Sequence, residues 1–450
     1  MARRLGVGCL CLLAWAACSA GAARAEPLAE PHAALPEELT LDGAIWYALQ
    51  NNPELAALRE QHGIAAAAVV IAQTYPFNPI WEAKIRNASG PESAGIANRV
   101  SNEHKVLIDL EVCGQGRYRR MEAGAGLSRV DWEITFQETV LAIRVVRAFD
   151  AALYRQEKLA LIEETVRLNE NSAEEVRKLV EQAAKLRPVD AIVARTEVND
   201  ARSLRAPGRT ALVAARSELH RALGTVESKF RLLGALQRPS PALDEAALME
   251  LAVAKRADLR AREAAVSEAD ARVRLARANR FGNPNVGPAY EYDPTRISLI
   301  GAQFSLPLPV FNRHSGEIMQ REAERSRAIL DVRQIEEAIR QDVRAALARM
   351  EAARAQVEFF LKNLPDLKDA MQSIERLFGA GEPGVDIVRL IDIRRKLLRA
   401  QDGHLDALLE LRQAQTDLAA AVGDPALAVG AKGQESEPLP APRPAEQPKP

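Results

Sequence analysis

Two very long stretches of the chain contain no helix-breaking residue, and in the second the hydrophobic positions recur with a helical period. Neither Gly nor Pro occurs from Leu127 to Arg187 or from Glu317 to Leu364. In the second stretch, apolar residues step by three and four positions, as in a coiled-coil stripe: Val332, Ile335, Ile339, Val343, Ala346 and Met350. At a rise of about 1.5 Å per residue, the first stretch would span about 90 Å. The pattern predicts long helices at about 117–183 and 315–378.

Ahead of each long helix, apolar and polar residues alternate in two short segments. These segments lie at about 80–90 and 104–113 in the first half and at about 285–293 and 297–306 in the second half. Transmembrane β-strands are about ten residues long, with one face towards lipid and the other towards water. The alternation therefore predicts four membrane strands, and the lipid-facing candidates are Trp81, Ile85, Ile108 and Ile300.

The same alternation also describes a half-buried hairpin in a soluble protein. Two other features favour the membrane interpretation: the long helices, and an N-terminal segment with the features of a signal peptide. Four strands are too few to close a barrel with a lumen, and an open sheet edge in lipid leaves backbone groups without partners. We therefore expect several chains to share one barrel.

Short sequence motifs, which we call marks, recur in the same order in the two halves of the chain. Asn52-Pro53-Glu54-Leu55 corresponds to Arg256-Ala257-Asp258-Leu259, and Leu223-Gly224 corresponds to Val422-Gly423. The chain is therefore interpreted as one unit used twice. The first structural repeat covers 26–240 and the second covers 241–433.

Two proline sites interrupt the helical pattern. Pro365 should kink the second long helix or end one segment of it, because proline lacks the amide hydrogen and clashes with the preceding turn. Pro207-Gly208 should kink a helix of the first repeat.

The two ends of the chain differ from the repeats. Residues 1–25 combine two arginines, an apolar stretch and a small-residue cleavage site, which predicts a signal peptide. Cys18 within it is an alternative lipidation site, although Trp15 replaces the usual aliphatic residue of a lipobox. The proline-rich segment 434–450 predicts a disordered tail.

Composition and the absence of known motifs exclude several classes of function. The net charge is −1, which argues against a nucleic-acid partner. No run of 18 apolar residues follows the leader, so no conventional spanning helix is expected. The six histidines are scattered, and no phosphate loop or nucleophile elbow is present. We therefore expect no enzyme activity, no cofactor and no resident metal site.

Three segments carry a resemblance to a known family. Leu39–Ala44, Leu306–Asn312 and the turn Gly381–Asp386, in this order, resemble TolC-like outer-membrane efflux factors. The resemblance extends from about Leu39 to Gly423, and its specificity lies in the order and duplication of the marks.

The resemblance implies a mainly α fold with a small β part. Each chain would contribute four strands to a homotrimeric 12-stranded barrel in outer-membrane lipid, and the long coiled-coil helices would form a periplasmic tunnel. The implied partners are a periplasmic adaptor and an inner-membrane pump of the resistance-nodulation-division type. The stretch from Leu306 to Ile318 is most similar to the cobalt, zinc and cadmium branch, which implies metal resistance. The chain would be a passive efflux channel.

The resemblance also suggests an aperture at the periplasmic end of the tunnel. Asp386 matches one of the family's acidic aperture residues, whereas Arg389 stands where a second acid is expected. Three copies of Asp386 on a narrow axis would bind cations. Two alternatives stay open: Asp386 caps the following helix, and the whole chain is a secreted periplasmic coiled-coil scaffold without a barrel.

Overall fold

The computed structural model describes residues 35–88, 99–183, 187–226, 229–238, 244–295, 297–380 and 387–430. The signal peptide, Cys18, Asp386 and the proline-rich tail lie outside the described residues. The helices are α1 (Leu41–Asn51), α2 (Pro53–Gln73), α3 (Gln115–Ala183), α4 (Pro188–Ser203), α5 (Arg205–Leu223), α6 (Glu245–Lys255), α7 (Ala257–Ala278), α8 (Ser315–Ala380), α9 (Ile387–Val422) and α10 (Ala426–Val429). The strands are β1 (Glu38–Leu39), β2 (Ile80–Ala88), β3 (Arg99–Asp109), β4 (Arg231–Leu232), β5 (Asn285–Tyr292) and β6 (Ser298–Ser305).

The long helices α3 and α8 dominate the fold. They contain 69 and 66 residues, so each is about 100 Å long. The apolar stripe of α8 is buried: Ile339 and Val343 are both 0% exposed. The stripe packs mainly against α9 and α7. Helix α8 continues through Pro365, so the expected end of a helical segment at this proline does not occur.

Helices α5 and α2 meet end to end at a first junction. Gly224 ends α5 with φ +77°, and a Cβ there would lie 2.7 Å from Pro53 Cδ. The Asn52 side-chain amide donates to the Ala222 carbonyl at 3.0 Å, and its oxygen accepts from the Glu54 amide at 2.9 Å. Asn52 therefore satisfies backbone groups of both helix ends.

Helices α9 and α7 form a second junction at the equivalent marks of the second repeat. Gly423 has φ +79°, and a Cβ there would lie 3.3 Å from Arg256 Cα. Arg256 donates to the Ala421 carbonyl at 3.3 Å and pairs with Asp258 at 2.6 Å. The recurring sequence marks thus lie at corresponding helix ends, where a guanidinium replaces the amide of the first repeat.

Pro207 and Gly208 lie inside helix α5, and the interruption of the helix falls just before them, at Leu204. Helix α4 ends before Leu204, and Pro207 lies in the first turn of α5, where an amide hydrogen is not needed for the helix. A Cβ at Gly208 would lie 3.2 Å from Ile162 and 3.3 Å from Leu159. The glycine therefore allows α5 to approach α3 closely.

Helix α2 is an exception to the expectation of no spanning helix. Of the described helices, it alone is long and apolar enough to cross a membrane by length and composition. Two of its polar side chains nevertheless reach α3: Arg59 pairs with Glu138 and His62 with Asp131, both at 2.6 Å. These contacts assign α2 to the helical wall beside α3.

The strands form two sheets. Strands β1 and β4 make a short parallel pair, which the sequence pattern did not predict, and β2, β3, β5 and β6 form an antiparallel sheet in that order. Strand β3 begins and ends earlier than the predicted segment 104–113. Beyond β3, the Leu110 amide donates to the Pro284 carbonyl at 2.8 Å, and Tyr75 bonds the Asp109 carbonyl at 2.6 Å. The apolar alternation after Asp109 therefore belongs to the connection with α3.

A glycine substitution tests the first junction. We expect Gly224→Ala to lower the free energy of unfolding by at least about 1–2 kcal/mol, because its left-handed conformation is costly for alanine and the added Cβ meets Pro53. The measurement is urea unfolding of the purified protein. Gly63→Ala is the matched control, since this helical glycine has open space around it and alanine favours the helix. Equal stability of the two variants would contradict the close approach.

Candidate functional site

The antiparallel sheet has one apolar face. The pairing register aligns Trp81 with Val106 and Tyr290 with Ile300, and residues two apart share a face. All four lipid-facing candidates, Trp81, Ile85, Ile108 and Ile300, consequently lie on the same face, which we call the apolar face. Trp81 is 68% exposed and Ile300 is 86% exposed. Among the residues that the structure describes, these side chains are left open to solvent.

An aromatic row crosses the apolar face over three strands. The rings of Trp81 and His104 stack at 5.9 Å, and those of His104 and Tyr290 stack at 6.4 Å. The hydrophobic alternation did not identify His104 as part of this face, because histidine reads as polar. Its imidazole lies flat between two amphipathic rings, an arrangement in which aromatic contacts stabilise the strand pairing.

The opposite face of the sheet is polar. Glu103 accepts from Lys105 and lies 3.8 Å from both Lys84 and Arg86. These side chains come from neighbouring strands and share the register of one face. The sheet thus separates an apolar surface from a charged surface, as required of a wall between lipid and water.

The two outer strands leave the sheet open. Strand β2 pairs only with β3, and β6 pairs only with β5, among the residues that the structure describes. The outward edges of β2 and β6 therefore carry backbone groups without partners in the described chain. An open edge of this kind is a template for pairing with another strand.

Four helices converge at the opposite end of the long helices. Val176 of α3, Ala194 of α4 and Ile387 of α9 form a buried cluster, with Phe378 of α8 packed against it. We call this region the helical tip. Ile387 of this small core and the aperture candidate Arg389 lie in the same first turn of α9.

Two arginines of α9 cross-link the helical tip. Arg394, whose side chain is 13% exposed, donates to the Ser172 hydroxyl at 2.5 Å and to Glu375 at 3.0 Å. Its neighbour Arg395 pairs with Glu197 of α4. The local sequence pattern does not predict these links, because the partners are far apart in the chain.

The aperture candidates are only partly covered by the structure. Arg389 is exposed in the first turn of α9, whereas Asp386 lies just outside the described residues. Val189-Asp190 in the first repeat corresponds in sequence to Val385-Asp386 in the second. Asp190 is 5% exposed and accepts from the Arg187 amide at 2.9 Å. In the first repeat, this position is therefore a buried helix cap.

A charged cleft lies beside the second junction. It has a volume of about 530 Å³ and is lined by α3, α7, α8 and α9. Arg147 and Arg349 both bond Asp417, at 2.6 and 2.9 Å. The described residues contain no group of His, Cys, Asp and Glu side chains that could hold a metal ion.

The chain resembles a family and several solved structures. Residues 248–424 match the family described as outer membrane efflux protein. The fold is similar to that of CusC, with 17% identity and a TM-score of 0.71 over 88% of this chain and 95% of that chain. It is also similar to MtrE of Neisseria gonorrhoeae in its open state, with 18% identity and a TM-score of 0.67 over 85% of this chain and 89% of that chain. CmeC of Campylobacter jejuni gives 13% identity and a TM-score of 0.66 over 88% of this chain and 87% of that chain.

None of the curated protein sequences matches the chain. The structural similarities, at identities below one fifth, establish the fold. This fold is the mainly α architecture of TolC-like outer-membrane channels, so the predicted fold class is confirmed. The match over 248–424 connects the fold to outer-membrane efflux proteins. The predicted resemblance is confirmed by the match over 248–424 and by the shared fold.

Proposed function

We propose that the chain is one subunit of a homotrimeric outer-membrane channel and acts as the passive exit conduit of a tripartite efflux system. The observation that carries this proposal is the four-stranded sheet, which has one apolar face, one charged face and two open edges. Three such sheets joined edge to edge give the twelve strands that the resemblance implies. Joining β6 of one chain to β2 of the next would provide partners for both edges.

The bilayer makes this closure necessary. Each backbone group without a partner in hydrocarbon costs several kcal/mol, so an isolated sheet with open edges is unstable in lipid. The apolar face would contact outer-membrane lipid, and the face with Glu103 and Lys105 would line the water-filled lumen. The alternative, a periplasmic scaffold without a barrel, offers no cover for the exposed side chains of Trp81 and Ile300.

A pair of substitutions on β6 tests the lipid-facing assignment. We expect Ile300→Arg to abolish assembly in the outer membrane, because arginine near the bilayer midplane costs about 2–4 kcal/mol per chain. Gln303→Arg is the matched control, since Gln303 lies on the same strand but on the opposite face. The measurements are outer-membrane fractionation and the native mass of the detergent-extracted protein.

The outcomes separate the two proposed architectures. A trimer for the wild type and for Gln303→Arg, with loss of the trimer for Ile300→Arg, supports the shared barrel. A wild-type monomer that needs no detergent would reject the channel and support the scaffold. Unchanged fractionation of Ile300→Arg would reject the lipid-facing role.

The helical tip is the proposed docking region for the partners. A periplasmic adaptor, together with a pump of the resistance-nodulation-division type, would engage the chain around 180–190 and 378–390. The tip has a small core, in which Val176 and Ile387 are both 2% exposed, and it is cross-linked by Arg394. A small core limits the cost of rearranging these helix ends on engagement.

The aperture hypothesis is tested by conductance. If three Asp386 carboxylates line the axis, Asp386→Ala should raise leak conductance in planar bilayers or weaken block by multivalent cations. The capping role of Asp190 supports the alternative that Asp386 caps α9. In that case, the variant should lower thermal stability and leave the block unaltered.

The cargo is proposed to be divalent heavy-metal cations, with selection made by the pump. This part rests on the resemblance of the segment from Leu306 to Ile318 to the cobalt, zinc and cadmium branch. Deletion of the gene should sensitise the host to these metals, and the wild-type chain should restore tolerance. Restored tolerance to an organic dye or detergent, with unchanged tolerance to the metals, would reject the metal cargo.

A further inference from the structure

Arg412 is a charged side chain in the interior of the fold. It lies in α9, is 1% exposed, and is among the largest fully buried side chains of the described chain. Its Nη2 donates to the Arg238 carbonyl at 2.5 Å. Its Nε and Nη1 are buried and have no hydrogen-bond partner in the described structure.

A second arginine and one carboxylate complete this buried cluster. The Arg238 side chain is 16% exposed and pairs with Asp150 of α3, whose side chain is 3% exposed. Arg238 Nη1 and Asp150 Oδ2 are also buried without a hydrogen-bond partner in the described structure. Three guanidinium nitrogens therefore lack an acceptor, whereas only one carboxylate oxygen lacks a donor.

The cluster carries excess positive charge. Burial lowers the pKa of Arg412 to about 10, and burial together with Arg412 lowers the pKa of Arg238 to about 10, against the attraction of Asp42. Both guanidiniums therefore remain protonated near neutral pH. Two positive charges share one buried carboxylate, and Asp42 is exposed.

Burial of two guanidiniums with one carboxylate costs free energy unless another group balances the charge. An uncompensated buried charge costs several kcal/mol, and buried polar groups without protein partners indicate a bound ion or water. A water molecule could satisfy single donors, but it cannot offset the excess charge. An anion does both, because it accepts from several N–H groups and neutralises one guanidinium.

We propose that this cluster binds a small monovalent inorganic anion, such as chloride, between Arg412 Nε and Nη1 and Arg238 Nη1. The site joins α3, the segment after β4 and α9, so its occupant stabilises the packing of these three parts. This role is independent of the proposed transport function. The anion is a structural ligand and not cargo.

Chloride dependence of stability tests the proposal on the wild-type protein. The thermal unfolding midpoint of the detergent-extracted chain is measured while chloride replaces gluconate at constant ionic strength. Above the dissociation constant, the midpoint should rise by about 2 °C for each tenfold increase in chloride. A midpoint that is the same in chloride and gluconate would overturn the proposal.

A substitution at Arg412 tests whether the chloride dependence arises from this cluster. Arg412→Met removes the charge and two unpartnered donors, so the chloride dependence should disappear. Arg221→Met is the matched control, because the Arg221 side chain is 75% exposed and pairs with Glu218 of its own helix; it should keep the dependence. Retained dependence in Arg412→Met would overturn the assignment to this cluster.

A crystallographic measurement covers the case in which Arg412→Met fails to fold. Wild-type crystals soaked in bromide should give an anomalous peak within contact distance of Arg412 Nε or Nη1. An ordered water at this place, without anomalous signal, would reject the anion.

Discussion

End-to-end contact between helices is the constraint on which the rest of the fold depends. Each helix end leaves about four backbone groups without helical partners, so two helices can meet only where these groups are satisfied. Asn52 does this for α5 and α2, and Arg256 contributes a hydrogen bond and two ion pairs where α9 meets α7. The junctions lie beside the middle of α3, between the sheet near the start of this helix and the helical tip near its end.

The two junctions solve the same geometric problem with different chemistry. Asn52 uses a neutral amide, and Gly224 provides the left-handed turn. Arg256 uses a charge that is held by Asp258 and Asp342. Salt screens exposed ion pairs and affects buried pairs much less. Of the two pairs, therefore, only Arg256–Asp342, whose carboxylate is exposed, is open to screening.

Much of this arrangement could be predicted from the sequence, because hydrophobic periodicity and the residues that begin and end helices are local features of the chain. The stripe through Ile339 and Val343 predicts α8, and the alternation at Trp81 and Ile85 predicts the apolar face of β2. The beginning of strand β3 was harder to predict, because His104 and other polar residues stand at its positions on the apolar face. Beyond its end, an alternating apolar run belongs to the connection with α3.

Contacts between distant parts of the chain could not be predicted in this way. Arg412 lies in a run of polar residues that resembles a solvated helix face, yet α3 and the segment after β4 bury it. Arg394 and Ser172 are separated by 222 positions. Nothing in the local pattern distinguishes these side chains from the many exposed arginines of the same helices.

The open edges of the sheet have a consequence for how the protein is made. In the proposed homotrimer, a single chain can form its helices and their junctions alone, whereas closure of the barrel needs the other two copies. Completion of the proposed channel would therefore depend steeply on subunit concentration. Until then, each chain presents unpaired strand edges beside an apolar surface, the combination that promotes aggregation. Biogenesis of the proposed channel would therefore require either rapid assembly at the membrane or a chaperone that shields the sheet.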